Sequence, residues 1–487
     1  MNTRMVLRTT GKILLFEAIM MVLPLITSLI YKESTWTFFL VSIAIILTVG
    51  GIMAKTPIKD TRIYAKEGFI IVAMAWILVS FFGALPFYIS GEIPSLVDAF
   101  FETVSGFTTT GATILSDIEA LSNGMLFWRS FTHWIGGMGV LVFVLAFLPK
   151  SEGQHMYLMR AEVPGPVVGK LVSTVRKTAR ILYGIYALLT LIEVILLLLG
   201  GMPFFDSLLN SFSTAGTGGF GIKNTSIAYY DSAYADTVIT IFMIIFGINF
   251  NIFYLIVLGN VKEALKSEEL RWYLGIIAAF IIVITINIMP SYKNMLEAFR
   301  YASFQVGSII TTTGFITADF SLWPVLSQVL LVLLMLIGAS AGSTGGGIKV
   351  GRIIILFKSS LRDLKQLIHH RSVYTVKLDG KNMEEQTIKA AHSYFLLYMI
   401  ILTISVIILC FDSLDIVSIV TAVITCLGNV GPGLGAIVGP VGNFSSLSDL
   451  SKLVLSFDML AGRLEIFPLI MIFGYFKIKR KVKFKEY

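Results

Sequence analysis

Phe107-Thr-Thr-Thr-Gly-Ala-Thr113 decides the fold because it recurs. Ser213-Thr-Ala-Gly-Thr-Gly-Gly-Phe220, Thr311-Thr-Thr-Gly-Phe315 and Gly428-Asn-Val-Gly-Pro-Gly-Leu-Gly435 repeat its character: small hydroxyls running into glycine. Aligned on Gly111, Gly218, Gly314 and Gly431, the clusters stand 107, 96 and 117 residues apart. Each closes a short, half-polar stretch (95–113, 203–219, 294–315, 413–435), and each stretch lies between two long apolar runs. A lone glycine-rich loop reads as a turn or a close helix contact. Four between spanning helices read as one unit used four times.

Working outward, the apolar runs lie near 12–31, 36–54, 69–89, 126–148, 180–200, 235–259, 271–290, 325–357, 391–411 and 452–476. A bilayer core of about 30 Å needs about 20 apolar residues per helix, so ten spans are expected. The composition agrees: 56% of residues are hydrophobic and only 14% charged, where roughly 25% charged is usual for soluble domains. A soluble or disordered chain is excluded, and an all-α polytopic membrane protein remains. The four half-polar stretches are too short to cross. They read as re-entrant half-helices, since irregular backbone survives at membrane depth only where it lines a cavity or is buried in protein. Arg4, Arg8 and Lys12 before the first run imitate a secretory leader, but no small-residue cleavage site follows, and a retained helix is expected. Cys410 and Cys426 form no disulfide or metal-binding pattern.

Basic residues give the orientation. Segments 1–12, 55–66, 150–180, 262–271, 349–389 and 477–487 hold 31 of the 38 Lys and Arg. The other seven are Lys32, Arg129, Lys223, Lys293, Arg300, Lys452 and Arg463. Both termini are therefore expected in the cytoplasm, with the Thr/Gly clusters entering from outside. The net charge of +8 becomes a sidedness signal, and the basic tail from Lys477 to Lys485 an anchor on anionic membrane lipid rather than a nucleic-acid site.

The expected units are an N-terminal helix pair (1–66) and four repeats, 67–178, 179–268, 269–388 and 389–487, each helix, half-helix, loop, helix. Four such loops around a pseudo-fourfold axis can exchange a monovalent cation's hydration shell for backbone carbonyls. Glycine permits the required backbone angles, and each half-helix aims its partially negative C-terminus at the axis. The expected filter residues are Thr109, Thr110, Gly111, Gly216, Thr217, Gly218, Thr312, Thr313, Gly314, Asn429, Val430 and Gly431.

The 325–357 run is interrupted by Gly338-Ala-Ser-Ala-Gly-Ser-Thr-Gly-Gly-Gly347. At about 1 kcal/mol per helical glycine, these ten residues predict a break beneath the loops. A close helix crossing through small residues is the plainer alternative. In the last run Arg463 stands about eleven residues deep, where an unpartnered cation costs at least about 2.5–3.5 kcal/mol. It is expected to face a cavity or a carboxylate on another helix, since Glu465 is on a different face. Arg129, near the outer end of its run, is expected to snorkel to the interface.

The chain resembles the membrane subunits of the Trk/Ktr/HKT superfamily of potassium transporters, specifically the TrkH/TrkG type. The four units over about 69–477 carry the resemblance, with Trp134-Ile-Gly-Gly-Met-Gly139, Thr217-Gly-Gly-Phe220, Gly342-Ser-Thr-Gly-Gly-Gly-Ile-Lys349 and Gly462-Arg-Leu-Glu465. The helix pair at 12–54 is similar to the extra N-terminal domain of that type and argues against the shorter KtrB branch. The resemblance implies uptake of potassium across the bacterial plasma membrane, with Gly111 in place of the Ser found in some sodium-passing plant members. It implies that Gly338, Ser340, Gly342, Ser343, Thr344, Gly345, Gly346 and Gly347 belong to an intramembrane gate loop, and that Arg463 is an electrostatic barrier beneath the filter. It also implies a homodimer with a cytoplasmic TrkA/RCK-type nucleotide-binding regulatory subunit; the basic loops 150–180 and 358–390 are candidate docking surfaces, with positive-inside topology alone as the equal alternative. No cofactor beyond transported K+ is expected in this chain.

Other readings stay open. A sodium-conducting or sodium-coupled member would share these features, and a broken helix suits channel-like and coupled flux alike. Gly338-Ala-Ser-Ala-Gly342 also matches a serine-nucleophile motif, with His133 or His392 as conceivable base, but that motif needs its strand-turn-helix context. Gly342 to Lys349 fails as a phosphate loop, with seven residues from first Gly to Lys and Val350 after it. No enzyme signature is found.

Overall fold

A computed structural model describes residues 3–58, 65–139, 175–370, 372 and 374–471. Outside these lie the end of the 126–148 run, most of the 150–180 loop, the last residues of the 452–476 run and the basic tail. Among the described residues the regular structure is helical apart from one two-stranded hairpin. α1 (Thr3–Met20), α2 (Val22–Ile30) and α3 (Trp36–Ala54) form the N-terminal hairpin. α1 crosses α3 at Gly11 and Gly50, where a β-carbon on Gly11 would press on the Gly50 carbonyl oxygen. Small residues let the two backbones touch, the usual means of helix association in lipid.

The first repeat contains α4 (Ala65–Gly83), α5 (Leu85–Ser90), α6 (Leu96–Phe107) and α7 (Asn123–Gly137). The second has α8 (Val175–Leu199), α9 (Phe204–Gly216), α10 (Ala233–Phe246) and α11 (Phe250–Val257), followed by α12 (Val261–Lys266). The third has α13 (Glu268–Ile288), α14 (Met295–Ile310), α15 (Val325–Ile337) and α16 (Val350–Ile368). A small hairpin, β1 (Lys377–Leu378) and β2 (Lys381–Asn382), precedes the fourth, which has α17 (Glu385–Leu409), α18 (Ile416–Gly428) and α19 (Asp449–Arg463).

The short helices α6, α9, α14 and α18 are the re-entrant half-helices. Three start at side-chain caps: Ser95, Asn294 and Asp415 accept the N–H of Asp98, Glu297 and Ser418 at 3.3, 2.8 and 2.9 Å. Such caps satisfy donors that the first helical turn leaves open. All four are buried along their last turns. The outward faces of the long helices remain apolar and exposed, as at Leu199, Ile286 and Ile407, which is what lipid requires.

Ten spans were expected, only the one at 325–357 broken, and the structure shows further interruptions. Among the described residues six helical stretches are long and apolar enough to cross a membrane, or seven if one bent pair counts as a span. That pair is α10 and α11, which replace the expected 235–259 helix and bend by 91° at Gly247–Asn249. The 325–357 run divides into α15 and α16, as its glycines predicted. The last run breaks after Arg463, where Glu465 and Ile466 turn at φ +56° and +68°, and helix resumes at Phe467. α7 ends at Gly137. The second helix of every repeat thus ends or breaks, where only the third was expected to.

Candidate functional site

Each half-helix ends in the same way. Thr109, Thr217, Thr312 and Asn429 adopt left-handed φ values of 55°, 52°, 58° and 55°. The next residues, Thr110, Gly218, Thr313 and Val430, donate their N–H to the carbonyls of Ser105, Ser213, Ser308 and Thr425 at 2.9, 2.8, 2.8 and 2.9 Å. This is a helix-stopping motif normally served by glycine. Three β-branched threonines at the left-handed position are strained, and such strain collects at functional sites. Gly111, Gly219, Gly314 and Gly431 follow, at φ +83°, +74°, +81° and +105°.

The shared geometry moves the second cluster by one residue. Gly218 was aligned with Gly111, but Gly219 occupies that place and Gly218 is the counterpart of Thr110. Two consecutive glycines hide the register from sequence, and the hydrogen bond to Ser213 reveals it. Gly216 is the last residue of α9, packed so closely on the His133 carbonyl that a β-carbon would overlap it.

The four loops close into a ring. A β-carbon on Gly111 would collide with the Gly218 carbonyl oxygen, on Gly219 with that of Thr313, on Gly314 with that of Val430, and on Gly431 with that of Thr110. Each repeat touches the next, and the fourth returns to the first. Four carbonyls (of Thr110, Gly218, Thr313 and Val430) thereby share one layer. Gly111, Gly219, Gly314 and Gly431 also line a common outer vestibule with Thr113, Lys223 and Asn224. Two filter hydroxyls are held by threonines of their own half-helices: Thr110 bonds Thr108 and Thr313 bonds Thr311, each at 2.7 Å. Asn429 Nδ2 donates to Thr110 Oγ1 and the Met459 carbonyl, both at 2.9 Å.

Beneath the ring the interruptions of the second helices converge on residues 338–349. Gly346 N–H donates to Thr312 Oγ1 at 2.6 Å, and Gly347 N–H to the Gly428 carbonyl at 2.9 Å. Ser340 N–H reaches the Gly247 carbonyl at 3.1 Å, and the Gly342 carbonyl accepts from Phe250 at 3.0 Å, so the loop is stitched to the α10–α11 bend. Arg463 donates to the carbonyls of Thr344 and Gly137, each at 2.6 Å, and to that of Gly136. Those bonds join the ends of α19 and α7 to the loop. The predicted gate residues are therefore brought together under the ring, with Arg463 against them. Glu465 pairs instead with Arg352 on α16, the divergence of faces that the sequence implied.

Two features were missed. Glu269, at the start of α13, accepts from Ala341 at 2.7 Å and Gly351 at 3.0 Å, holding both ends of the loop with one carboxylate oxygen. No motif announces it, because its partners are backbone groups far along the chain. Arg129 does not snorkel to the interface: it is 2% exposed and pairs with the buried Glu102 at 2.6 Å. The glutamate that holds it was hidden in a half-helix read only for its glycines.

The hydrolase reading fails on geometry. Ser340 is buried, while His133 stacks on Phe220 with ring centres 4.2 Å apart and His392 Nε2 lies 3.4 Å from Ser359 Oγ. Neither histidine serves Ser340 as a base.

Comparison with known proteins agrees with this architecture. The family described as "TrkH: Cation transport protein" matches residues 34–477. The chain is 36% identical over 480 residues to the Trk system potassium uptake protein TrkH of Salmonella typhimurium, covering 97% of this chain and 99% of that protein. It is 33% identical to the Trk system potassium uptake protein TrkG of Escherichia coli, over 98% of this chain and 99% of that one. The crystal structure of the potassium transporter TrkH from Vibrio parahaemolyticus superposes with a TM-score of 0.87 at 33% identity, covering 97% of this chain and 98% of that chain. The chain therefore belongs to the TrkH family of cation transport proteins.

Proposed function

We propose that this protein takes up potassium across the bacterial plasma membrane through the carbonyl ring of Thr110, Gly218, Thr313 and Val430. The observation that carries the reading is the closed cycle of contacts from Gly111 through Gly219 and Gly314 to Gly431. Backbone carbonyls in such a ring replace the hydration shell of a monovalent cation. Selectivity for potassium over sodium rests on glycine at Gly111 and on the potassium uptake ascribed to relatives matched over almost the whole chain. Residues 338–349 act as the gate, because they fill the space under the ring with hydrogen bonds that an open pore must break. Arg463 acts as the barrier cation, supported by its place between the loop and the end of α7.

The units 1–66, 67–178, 179–268, 269–388 and 389–487 remain the proposed division of the chain. The proposed assembly is a homodimer with both termini cytoplasmic, embedded in lipid. Its partner is a cytoplasmic TrkA/RCK-type nucleotide-binding subunit, in keeping with relatives named as parts of a Trk system. The chain itself carries K+ as cargo and holds no cofactor. Rubidium uptake into proteoliposomes, competed by potassium and by sodium, tests the function. Equal competition by both would defeat potassium selectivity, and uptake requiring an imposed sodium gradient would favour the sodium-coupled reading.

A further inference from the structure

The fourfold backbone of the ring is not matched behind it. Counting back eight residues from each ring carbonyl reaches Glu102, Asn210, Gln305 and Ala422. These are corresponding positions on the four half-helices, and only the first is charged. Gln305 makes a neutral bond to Thr317 Oγ1 at 3.2 Å, just past its own filter glycine. Glu102 does the same work with charge. Its carboxylate accepts from Thr113 Oγ1 at 2.9 and 3.0 Å and from Ile114 N–H at 3.0 Å, two and three residues beyond Gly111. It also takes the Arg129 guanidinium at 2.6 Å. Arg129 reaches on to the second loop: Nη1 donates to the Gly221 carbonyl at 2.8 Å, and the guanidinium lies 3.5 Å over the Phe220 ring. Residues 220 and 221 immediately follow Gly219.

One buried ion pair therefore pins the exits of two adjacent filter loops. The bonds given for two other loop exits are neutral: Ala228 N–H to the Ile316 carbonyl at 3.1 Å and Ile316 N–H to Ser226 Oγ at 3.3 Å between the second and third loops, and Phe444 N–H to the Thr113 carbonyl at 2.8 Å from the fourth unit to the first; the ion pairs Arg300–Asp236 and Lys452–Asp98 join those units away from the loop exits, at the half-helices. Burying two charges is expensive, and an apolar replacement of a whole pair is often neutral for stability. What charge-assisted, forked hydrogen bonds add is short, fixed geometry.

We propose that Glu102 and Arg129 are positioning residues that hold the Thr110 and Gly218 carbonyls at the spacing that discriminates between alkali cations. The inference rests on the carbonyl-ring reading of the site. Arg129 also lines the vestibule that the four filter glycines share, whereas Glu102 does not; both reach the ring carbonyls through residues 113–114 and 220–221.

The test uses the full-length protein in proteoliposomes and reads the ratio of sodium to rubidium flux, with melting in detergent measured alongside. Glu102→Gln and Arg129→Gln each leave one buried charge unpaired and are expected to lower the melting temperature. Glu102→Gln/Arg129→Gln leaves none, keeps an amide for Thr113 and Ile114, and is expected to melt close to the unaltered protein. Its sodium-to-rubidium ratio is still expected to rise about tenfold, the worth of one charge-assisted hydrogen bond. Arg129→Lys, which keeps charge without the fork, is expected to fall between. An unshifted ratio in the folded double variant would overturn the proposal and reduce the pair to a fold strut. A preference for sodium in the unaltered protein would instead defeat the potassium reading, while the shift between variants would still report on the pair.

Discussion

The carbonyl ring and the layer beneath it are built from the same four repeats and obey different rules. In the ring the repeats agree to within a few degrees at the left-handed residue and to 0.1 Å in the bond that follows it. One layer down they diverge. α7 ends at Gly137, α10 bends by 91° into α11, the third repeat inserts a loop between Ile337 and Val350, and α19 turns at Glu465. A ring that replaces a hydration shell needs equivalent ligands on all sides, so every departure costs selectivity. The proposed gate needs one element able to move against three that stay, which asymmetry allows.

The comparison can be broken at the ring first. Gly111→Ala, Gly219→Ala, Gly314→Ala and Gly431→Ala are each expected to cut rubidium uptake roughly a hundredfold, because a β-carbon at positive φ overlapping a neighbour's carbonyl costs about 3 kcal/mol. Equal losses at all four sharpen the claim of symmetry. Retained uptake in Gly219→Ala would return the second loop to its sequence register. In the lower layer the effects should be unequal and opposite in sign. Arg463→Ala removes charged hydrogen bonds to the gate loop and to α7, and uptake is expected to rise about tenfold; unchanged uptake would remove its barrier role. Glu269→Gln weakens the clamp on Ala341 and Gly351 without emptying it, so a rise of about threefold is expected, measured as initial rubidium uptake. A fall would show that Glu269 supports the open state instead.

The smallest effect belongs outside the membrane. Glu119 and Lys223 join the outer loops of the first two repeats at 3.0 Å. Lys223, hydrogen-bonded to Glu119, lowers that carboxyl below its usual value and is itself raised. The lowered carboxyl's contribution is present above the ordinary carboxylate range and is lost as external pH falls through its own depressed value. The raised amine's is lost only in strong alkali. Uptake is thus expected to be flat across neutral and mildly acid external pH, and Lys223→Met to change it by less than about twofold, as for any exposed pair. A steep dependence near neutrality would place a titrating group nearer the ion path.

Much of this was legible because repetition is a property of the chain. The half-helices, their glycine-rich ends and the interrupted helix after Ile337 could be read from spacing and side-chain size alone. The register at Gly218-Gly219 could not, since both residues satisfy the same steric demand. The breaks at Gly247 and after Arg463 were hidden too: the apolar run through 235–259 carries a single glycine at its bend, and no local signal distinguishes that from a helix contact. Arg129 was misplaced because snorkelling is the default for a cation near a helix end, and only its neighbour on another helix overrules that.

What the sequence determined by itself is the class and the fourfold plan, because hydrophobic length and glycine act locally and leave a trace wherever they act. Tertiary structure alone decided which glycine faces which carbonyl, where three further helices stop, and that Glu102 holds Arg129. Those are contacts between residues distant in the chain, and their energies exist only once the four repeats have closed around one axis.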